Sequence, residues 1–538
     1  MTAGRVLNAL ADTLEDHFEK KTLWLLVGIS ILYFFITCVL ASYKLLWNDE
    51  LYTLYISRAA SMSEIWAALL TGAEQTPPLV YGITRGMLAF FGENPLAIRL
   101  PEVIGYWVMG ICLFLFVSRR APAVYGFLAM LFPLVTGAYR YAYEARSYAL
   151  VLGFVGLALL CWQFAAERRS RLLPLTGLAI SLAAAVSCHY YAILFFLPLV
   201  FGETVRSIAL RRVDLPVWLA FGIGATPLVI FLPLIRQAIG YSTTFWAKPE
   251  WMAIPKFYAF LLAPAILPVL TLLVLATLYP QAYAMARRVH TAYTRPPLYE
   301  VAAVFGFAVM PILIVTVCML AGGSFTDRYA LPAVIGFSII VAFGAYTLLN
   351  DRVPIAAILA LSLCGFFVSL GGKTLGTMIA GRDAQIQANK FLQTQALTNL
   401  PIAVSDQHAF MTLAYYGSPD IAGRLVYLAS PDASLRHLGH ESLEKGLLAL
   451  RPWFPVRIEE YESFIASRNR FLVYGSAGYF LNWLFSELAT ADLRIELVGR
   501  QKDALLLLVS RKDETETETP AAGQIPADVA PKNSSHDR

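Results

Sequence analysis

The chain has 538 residues, of which 58% are hydrophobic and only 15% are charged. A water-soluble protein of this length needs more charge to cover its surface, so the composition excludes a soluble enzyme and predicts an α-helical polytopic membrane protein. The net charge of +5 indicates no particular partner, and nothing in the pattern points to nucleic acid. Residues 1–22 are amphipathic and do not resemble a cleavable signal peptide, so a cytoplasmic N-terminal segment is expected there.

Eleven apolar runs have, or approach, the length that crosses a bilayer. They are predicted at about 23–43, 98–117, 121–138, 145–164, 172–188, 190–206, 215–235, 258–280, 299–320, 329–348 and 353–371. The further run at 77–91 is short, begins with Pro77-Pro78 and carries Arg85 midway. We expect a helix that lies along the membrane surface at this position, not a span.

The charges of the connecting loops support this count. If the N-terminus is cytoplasmic and residues 77–91 do not cross, the four arginine-rich loops all face the cytoplasm, as the positive-inside rule requires. These loops contain Arg119-Arg120, Arg168-Arg169-Arg171, Arg206-Arg211-Arg212 and Arg287-Arg288-Arg295. If residues 77–91 crossed, all four loops would face outward. The sequence therefore predicts a multi-pass membrane protein, with residues 23–371 as its membrane domain and the C-terminal part outside.

With this topology, the polar and aromatic-rich segments all fall on the outer face, which predicts a site there. The first outer loop, residues 44–97, is too long for a simple turn. It begins with Asp49-Glu50, directly after the first apolar run. On frequency alone such an acidic pair is more often a solvated flank or a helix cap than a functional group.

Charged side chains also mark three later positions on the predicted outer face. The segment between the third and fourth runs carries Arg140, Glu144 and Arg146 among four tyrosines. An aromatic belt with a snorkelling arginine is the alternative reading, but a belt requires no carboxylate. Arg328 stands where the tenth run begins, and phosphate recognition and simple snorkelling are equally consistent with it. His189, between two runs, is more often an interfacial residue than a ligand.

From residue 372 the composition becomes that of a soluble domain. Short β-like runs with helical patterns between them predict a small extracytoplasmic α/β domain over 372–511, with a sheet that is at least partly parallel. The runs lie at Pro401–Val404, Arg424–Leu428, Phe471–Tyr474, Leu493–Val498 and Ala504–Ser510, and a helix is expected at Tyr479–Leu488. Asp406 and His408 follow a strand end and are expected to lie in an ordinary loop. The tail 512–538 has no apolar period and is expected to be disordered.

Taken in order, the motifs of residues 20–350 resemble one group of membrane enzymes. They are Asp49-Glu50, Thr76-Pro77-Pro78-Leu79-Val80-Tyr81, Phe91-Gly92, Arg99-Leu100-Pro101, Tyr143-Glu144-Ala145-Arg146-Ser147-Tyr148 and Arg328-Tyr329-Ala330-Leu331-Pro332. Their order is similar to that of the GT-C superfamily of integral-membrane glycosyltransferases, in the bacterial branch related to protein O-mannosyltransferases and to the lipid A aminoarabinose transferase. No single motif is specific, and the set identifies the superfamily better than the substrate.

The resemblance implies a polyprenyl-phosphate-linked sugar as donor and a glycolipid, polysaccharide or protein of the cell envelope as acceptor. The same resemblance implies that the protein lies in the inner (plasma) membrane of a bacterium. It also implies that Asp49, with Glu50 beside it, is the catalytic base or positions the acceptor. A carboxylate can deprotonate the attacking hydroxyl, and cations stabilise the leaving phosphate. The side chains assigned to the donor are Arg328 and Arg146 for its phosphate, with Arg99 and Arg140 behind them, and Tyr139, Tyr143, Glu144, Tyr148, Tyr329 and His189 for the rest of the site.

A divalent cation is possible at the acidic pair, but the sequence shows no metal ligands beyond Asp49 and Glu50. Two other functions compete with glycosyl transfer. A transporter or flippase of lipid-linked glycans should show internal repeats and charged or Gly/Pro-broken positions near span midpoints. A glycan polymerase would commonly carry a large outer loop late in the membrane region, and this chain has none.

Overall fold

The computed structural model describes residues 20–167, 170–241, 247–278, 295–349, 353–395, 399–476 and 482–512, together with Thr13, Phe18, Leu397, Gly478 and Tyr479. Most of the predicted cytoplasmic segment 1–22 lies outside the described residues, as do the predicted loop arginines 168, 169, 287 and 288 and the tail from 513 onward. The expectations for these positions therefore stay predictions.

Helices dominate the chain up to residue 395. They are α1 (Thr22–Tyr43), α2 (Asn48–Ser57), α3 (Met62–Leu69), α4 (Leu79–Phe91), α5 (Pro95–Ser118), α6 (Ala123–Leu131), α7 (Tyr148–Glu167), α8 (Leu172–Cys188), α9 (Phe196–Leu210), α10 (Leu215–Ala225), α11 (Pro227–Ile230), α12 (Leu232–Ile239), α13 (Ala253–Leu278), α14 (Leu298–Ala308), α15 (Met310–Ala321), α16 (Ala333–Leu349) and α17 (Val353–Gln395). Short 3₁₀ helices lie at Phe132–Val135, Gly137–Tyr143, Tyr190–Phe195 and Asp327–Ala330.

Among the described residues, five helices are long and apolar enough to cross a membrane, and three bent helix pairs raise this number to eight. Three shorter apolar helices, α8, α13 and α16, coincide with the other predicted runs. The fourth short apolar helix is α4, the one expected to lie along the surface. Helices therefore coincide with all eleven predicted apolar runs, and the prediction of a helical polytopic protein is confirmed.

The bent pairs are a feature that the apolar runs did not reveal. The helices Ala123–Val135 and Gly137–Tyr143 meet at 79°, and α14 and α15 meet at 58°. In the second case the break is at Val309, and Pro311 follows it. Pro311 has no N–H to donate to the carbonyl of Phe307, four residues earlier, so the hydrogen-bond ladder is interrupted at this break.

Close helix packing fixes the start of α7. A Cβ added to Gly105 of α5 would lie 2.5 Å from the Cα of Leu150, and one added to Gly153 of α7 would lie 2.5 Å from the Gly105 carbonyl oxygen. Small residues at a helix crossing let two backbones approach closely, which stabilises helix pairs in a membrane. The N-terminal turn of α7, where Tyr148 lies, is therefore held against α5.

Several predicted cytoplasmic arginines form ion pairs. Arg120 binds the buried Glu300 at 2.6 Å and also pairs with Glu167. In α9, Arg206 donates to the fully buried Glu203 through Nε at 2.9 Å and Nη2 at 2.8 Å. Such pairing offsets the cost of burying charge, which is large for an unpaired group.

The C-terminal domain contains a six-stranded sheet in the order β3-β2-β1-β4-β6-β5. Strands β1, β2, β3 and β4 pair in parallel, whereas β6 is antiparallel to both β4 and β5. The elements are β1 (Ile402–Val404), α18 (Gln407–Tyr416), α19 (Pro419–Ala422), β2 (Leu425–Ala429), α20 (Pro431–Leu438), α21 (Ser442–Leu450), β3 (Ile458–Glu460), α22 (Tyr461–Ser467), β4 (Arg470–Ser476), α23 (Leu484–Thr490), β5 (Leu493–Gln501) and β6 (Ala504–Arg511). A small, partly parallel α/β domain was predicted and is confirmed.

Three local expectations for this domain were wrong. Strand β3 was missed because it has only three residues, two of them glutamates. Helix α23 begins at Leu484, later than the predicted Tyr479. Asp406 lies in the connection between β1 and α18, as expected, and its carboxylate accepts from the Ala409 amide at 2.8 Å and caps α18, whereas His408 lies in the first turn of α18 and not in a loop.

The contacts divide the chain into two compact units. The first contains the part up to Tyr43 together with Thr76–Leu232 and Ala247–Gly376. The second contains Lys44–Gln75, a short stretch that begins at Pro233, and the chain from Thr377 on. Residues 44–75, the first part of the predicted outer loop 44–97, therefore belong to the same compact unit as the C-terminal domain. The single helix α17 continues through the predicted domain limit at 371/372.

Candidate active site

The segment before α7 places several predicted site residues. Residues Gly137–Tyr143 form a 3₁₀ helix, and the backbone becomes extended at Glu144. The Arg146 amide then donates to the Glu144 carbonyl at 2.7 Å, and α7 begins at Tyr148. Both Glu144 and Arg146 are buried. Glu144 and Arg146 therefore lie buried in the short connection between the 3₁₀ helix and α7, and not in a solvent-exposed aromatic belt.

A buried carboxylate that the sequence analysis did not single out supports this connection. Glu102 of α5 accepts from the Leu150 amide at 2.8 Å, in the first turn of α7. The first amides of a helix have no partner inside the helix, and a negative charge is favourable at this end. The sequence signal that could have identified Glu102 is its position inside an apolar run.

A pocket lies beside the start of α7. Tyr148, His189, Arg328 and Tyr329 line one part of it, and apolar side chains line the rest. Its cavity is small, about 10 Å³, which is room for about one water molecule, and it opens to solvent. We call it the arginine pocket, and its full lining is Tyr148, Val151, Leu152, His189, Phe195, Arg328, Tyr329, Leu331 and Pro332.

Arg328 brings positive charge to the arginine pocket, and two neighbouring side chains orient its guanidinium group. The guanidinium carbon of Arg328 lies 5.7 Å from the centre of the Tyr148 ring. Arg328 Nε also donates to the Thr326 hydroxyl at 3.3 Å. Its side chain is partly exposed, whereas Tyr148 and Tyr329 are buried. Packing on an aromatic face orients a guanidinium and leaves its N–H groups able to donate.

His189 is held neutral in this pocket. Burial, together with the positive charges of Arg146 and Arg328, lowers the pKa of His189 to about 3. Its Nδ1 accepts from the Tyr191 amide at 3.2 Å, which leaves the proton of the neutral ring on Nε2. His189 thus adds a neutral N–H donor to a pocket influenced by two arginines.

Tyrosine rings pack around His189. Its ring centre lies 5.5 Å from that of Tyr148 and 5.2 Å from that of Tyr329. Tyr329 stacks on Tyr191 at 4.6 Å, and the Tyr191 hydroxyl donates to the Ser324 carbonyl at 2.8 Å. Tyr191 was not among the predicted site residues. The only signal for it was its place beside His189.

Arg140 lies on a neighbouring surface. It is exposed, donates to the Tyr141 hydroxyl at 2.8 Å and lies 4.8 Å from the centre of the Phe260 ring. Burial raises the pKa of Asp327, an effect that the charges of Arg140 and Lys256 oppose. The positive charge of Arg140 therefore acts on Asp327, an acid that the sequence analysis did not assign.

Arg99, Tyr139 and Tyr143 are buried among the packed helices. Arg99 is fully buried and donates to the Ala41 carbonyl, in the last turn of α1. A cation at this end of a helix is favourable. The Tyr139 hydroxyl shares a hydrogen bond with Thr37 at 2.9 Å, and its ring contacts Tyr143 at 5.4 Å. These contacts give Arg99 and Tyr139 a structural role, and their predicted role at the donor stays a prediction.

The acidic pair belongs to the second compact unit, in the first turn of α2. Glu50 is fully buried, pairs with the Lys44 ammonium at 3.3 Å and accepts from the Trp47 amide at 3.4 Å. Asp49 is partly exposed, and the Asn48 amide group donates to its carboxylate at 3.4 Å. The contacts of Glu50 therefore stabilise the start of the helix, whereas Asp49 is partly exposed to solvent.

No group of three or more His, Cys, Asp or Glu side chains within the described part of the chain is placed to hold a metal ion. The possible divalent cation therefore still rests on the acidic pair alone.

Comparisons with known proteins agree with this architecture. Residues 75–236 match the family described as dolichyl-phosphate-mannose-protein mannosyltransferase. The structure of ArnT from Cupriavidus metallidurans in the apo state superposes with a TM-score of 0.58 at 14% identity, over 91% of this chain and 98% of that chain. The chain has the GT-C fold.

A second ArnT structure from the same organism, bound to undecaprenyl phosphate, is similar to this chain with a TM-score of 0.56 at 12% identity, again over 91% and 98% of the two chains. No curated protein sequence matches the chain. The matched family segment contains α4 to α11 and, with them, Arg146, Tyr148 and His189. The family match therefore includes five of the nine residues that line the arginine pocket, and the structural similarity extends over 91% of the chain.

Proposed function

We propose that the protein transfers a sugar from a polyprenyl-phosphate-linked donor to a cell-envelope acceptor on the outer face of the membrane. The observation that carries the proposal is the arginine pocket, which combines apolar walls with Arg328, His189 and two tyrosines. A lipid phosphate needs both an apolar surface for its chain and cationic donors for its head group. The undecaprenyl phosphate bound by the similar ArnT structure supports a donor of this class.

In this mechanism Arg328 and Arg146 bind the donor phosphate. As the bond between the anomeric carbon and the phosphate oxygen breaks, negative charge builds on that oxygen, and fixed cations stabilise it more strongly in the transition state than in the ground state. The neutral His189 contributes a hydrogen bond from Nε2 without adding charge. The tyrosines provide flat faces against the sugar.

Asp49 is the proposed base. It takes the proton from the acceptor hydroxyl while that oxygen bonds to the anomeric carbon, so one displacement inverts this carbon. Asp49 suits the role better than Glu50 because the carboxylate of Glu50 is buried and paired with Lys44. A carboxylate that must receive a proton needs access to the acceptor, and only the first of the two has exposed surface.

The test is mass spectrometry of envelope glycolipids and glycans from a deletion strain that expresses the wild type or Asp49→Asn. We expect the wild type to restore a sugar-bearing product and Asp49→Asn to leave it absent. The matched control is Asp432→Asn, which changes an exposed acid in the first turn of another short helix, α20, and should restore the product. Equal products from the wild type and Asp49→Asn would overturn the catalytic assignment.

A further inference from the structure

Helix α2, which carries Asp49, packs on the C-terminal domain within the second compact unit. On one side of Asp49, the Leu46 amide donates to the Tyr416 hydroxyl at 2.8 Å. On the other side, Gln407 Nε2 donates to the Tyr52 hydroxyl. Two hydrogen bonds from the ends of α18 therefore bracket the aspartate.

Aromatic contacts also join residues 46–55 to the C-terminal domain, and we call this contact surface the junction. The Phe454 ring lies 4.7 Å from the Tyr52 ring and 5.3 Å from the Tyr55 ring. Before the aspartate, the Trp47 ring lies 6.0 Å from the ring of His408. These edge-to-face pairs are worth roughly as much as a hydrogen bond each, beyond the area that they bury.

The junction is buried and is connected to a rigid part of the domain. Leu46, Tyr52 and Gln407 are at most 8% exposed. Helix α18 follows β1 after a two-residue connection and is capped by Asp406. Strand β1 is central in the sheet, with parallel neighbours on both sides. The position of α2 is thus determined by the centre of the C-terminal sheet.

We propose that the C-terminal domain positions Asp49, with Gln407 and Tyr416 as its positioning residues. The inference rests on the proposed function only for the role of Asp49 as base. It gives the domain a task in the reaction, because a base displaced by even one ångström abstracts the proton less efficiently. Neither Gln407 nor Tyr416 needs to touch the substrate for this effect.

The test uses the full-length protein in detergent with the substitutions Gln407→Leu and Tyr416→Phe. Gln407→Leu leaves the buried Tyr52 hydroxyl without its donor, and Tyr416→Phe removes a single hydroxyl, a change that the fold tolerates better. The matched control is Gln393→Leu, which breaks an exposed hydrogen bond to Ser418 elsewhere in the same unit.

The first measurement is amide hydrogen exchange. We expect residues 46–57 to exchange roughly tenfold faster in both variants, since one lost hydrogen bond weakens local closure by about that factor. Strands β1 and β4 should keep their protection, and Gln393→Leu should resemble the wild type. Unchanged exchange of residues 46–57 in both variants would refute the docking itself, whatever reaction the protein performs.

The second measurement is steady-state kinetics with undecaprenyl-phosphate-linked hexoses and pentoses as donors. We expect kcat to fall at least fivefold while KM for the donor stays within twofold, because the proposed phosphate-binding arginines lie in the other unit. A merely structural role would lower the active fraction, and Tyr416→Phe would then recover full kcat per folded molecule. That recovery, or an unchanged kcat in both variants, would overturn the inference. If the wild type itself transfers no sugar, the proposed function fails, and the exchange result still decides the docking.

Discussion

The pH dependence of the C-terminal domain should be set largely by Glu444. Its side chain is 3% exposed and accepts from the Tyr427 hydroxyl at 2.7 Å and from Trp483 Nε1 at 3.1 Å. Burial raises the pKa of Glu444 to about 7, although these two hydrogen bonds act in the opposite direction. The folded domain therefore binds a proton that the unfolded chain has already released at neutral pH.

The sign and the magnitude follow from linkage. Because the folded pKa lies above the ordinary value of 4.5, stability is greatest below that value and falls as the pH rises toward 7. The difference between about 7 and 4.5 corresponds to roughly 3 kcal/mol, at about 1.36 kcal/mol for each pH unit. Glu444→Gln removes this loss, because the amide is neutral and its carbonyl can still accept both hydrogen bonds.

The assay is hydrogen exchange of β2 and β4 in the full-length protein between pH 5 and pH 8, corrected for the intrinsic exchange rate. We expect the wild-type opening free energy to fall by roughly 2.5 kcal/mol over this range, slightly less than the full linkage because part of it lies below pH 5, and that of Glu444→Gln to change far less. Burial raises the pKa of Asp406 and lowers that of His440, so the difference between the two proteins isolates Glu444. Equal slopes in both proteins would refute the reasoning.

Three further predictions concern the membrane unit. Arg328→Gln should weaken binding of undecaprenyl phosphate, measured by calorimetry in detergent, by roughly tenfold to a hundredfold, because a charge-assisted hydrogen bond is worth about 1.5–3 kcal/mol; unchanged affinity would remove Arg328 from the site. Glu203→Ala removes the bidentate partner of Arg206, which keeps its ion pair with Asp214, and should cost about 1.5–3 kcal/mol, seen as a lower Tm, whereas the isosteric Glu203→Gln should cost less. A reporter fused near Arg120 should be cytoplasmic, and an external signal would contradict the eleven-run topology.

Composition and periodicity were sufficient for the helices and for most of the sheet. The apolar runs are long, and strands such as β4 and β6 are continuous apolar segments that few other structures accommodate. The break at Val309 was missed because hydropathy averages over a window and does not register one proline. Strand β3 was missed because hydrogen bonds to β2, and not apolar side chains, define it.

The candidate site was predictable only where a charge interrupts an apolar pattern. Arg146 and Arg328 were identified for that reason, and the positive charges of both help to lower the pKa of His189. The cap that Glu102 provides for α7 depends on how two helices cross, which the sequence pattern does not encode. The bond between Tyr52 and Gln407 joins residues 355 positions apart, so no local motif could have indicated it.

The most direct test of glycosyl transfer is the release of undecaprenyl phosphate from a labelled undecaprenyl-phosphate sugar by the purified full-length protein, with an envelope lipid extract as acceptor. A transferase breaks the bond between sugar and phosphate, whereas a flippase moves the donor intact. We predict release by the wild type and a loss of at least a hundredfold in Asp49→Asn, the range that a general base contributes. An intact donor after incubation with the wild type, across hexose and pentose donors, would contradict the account.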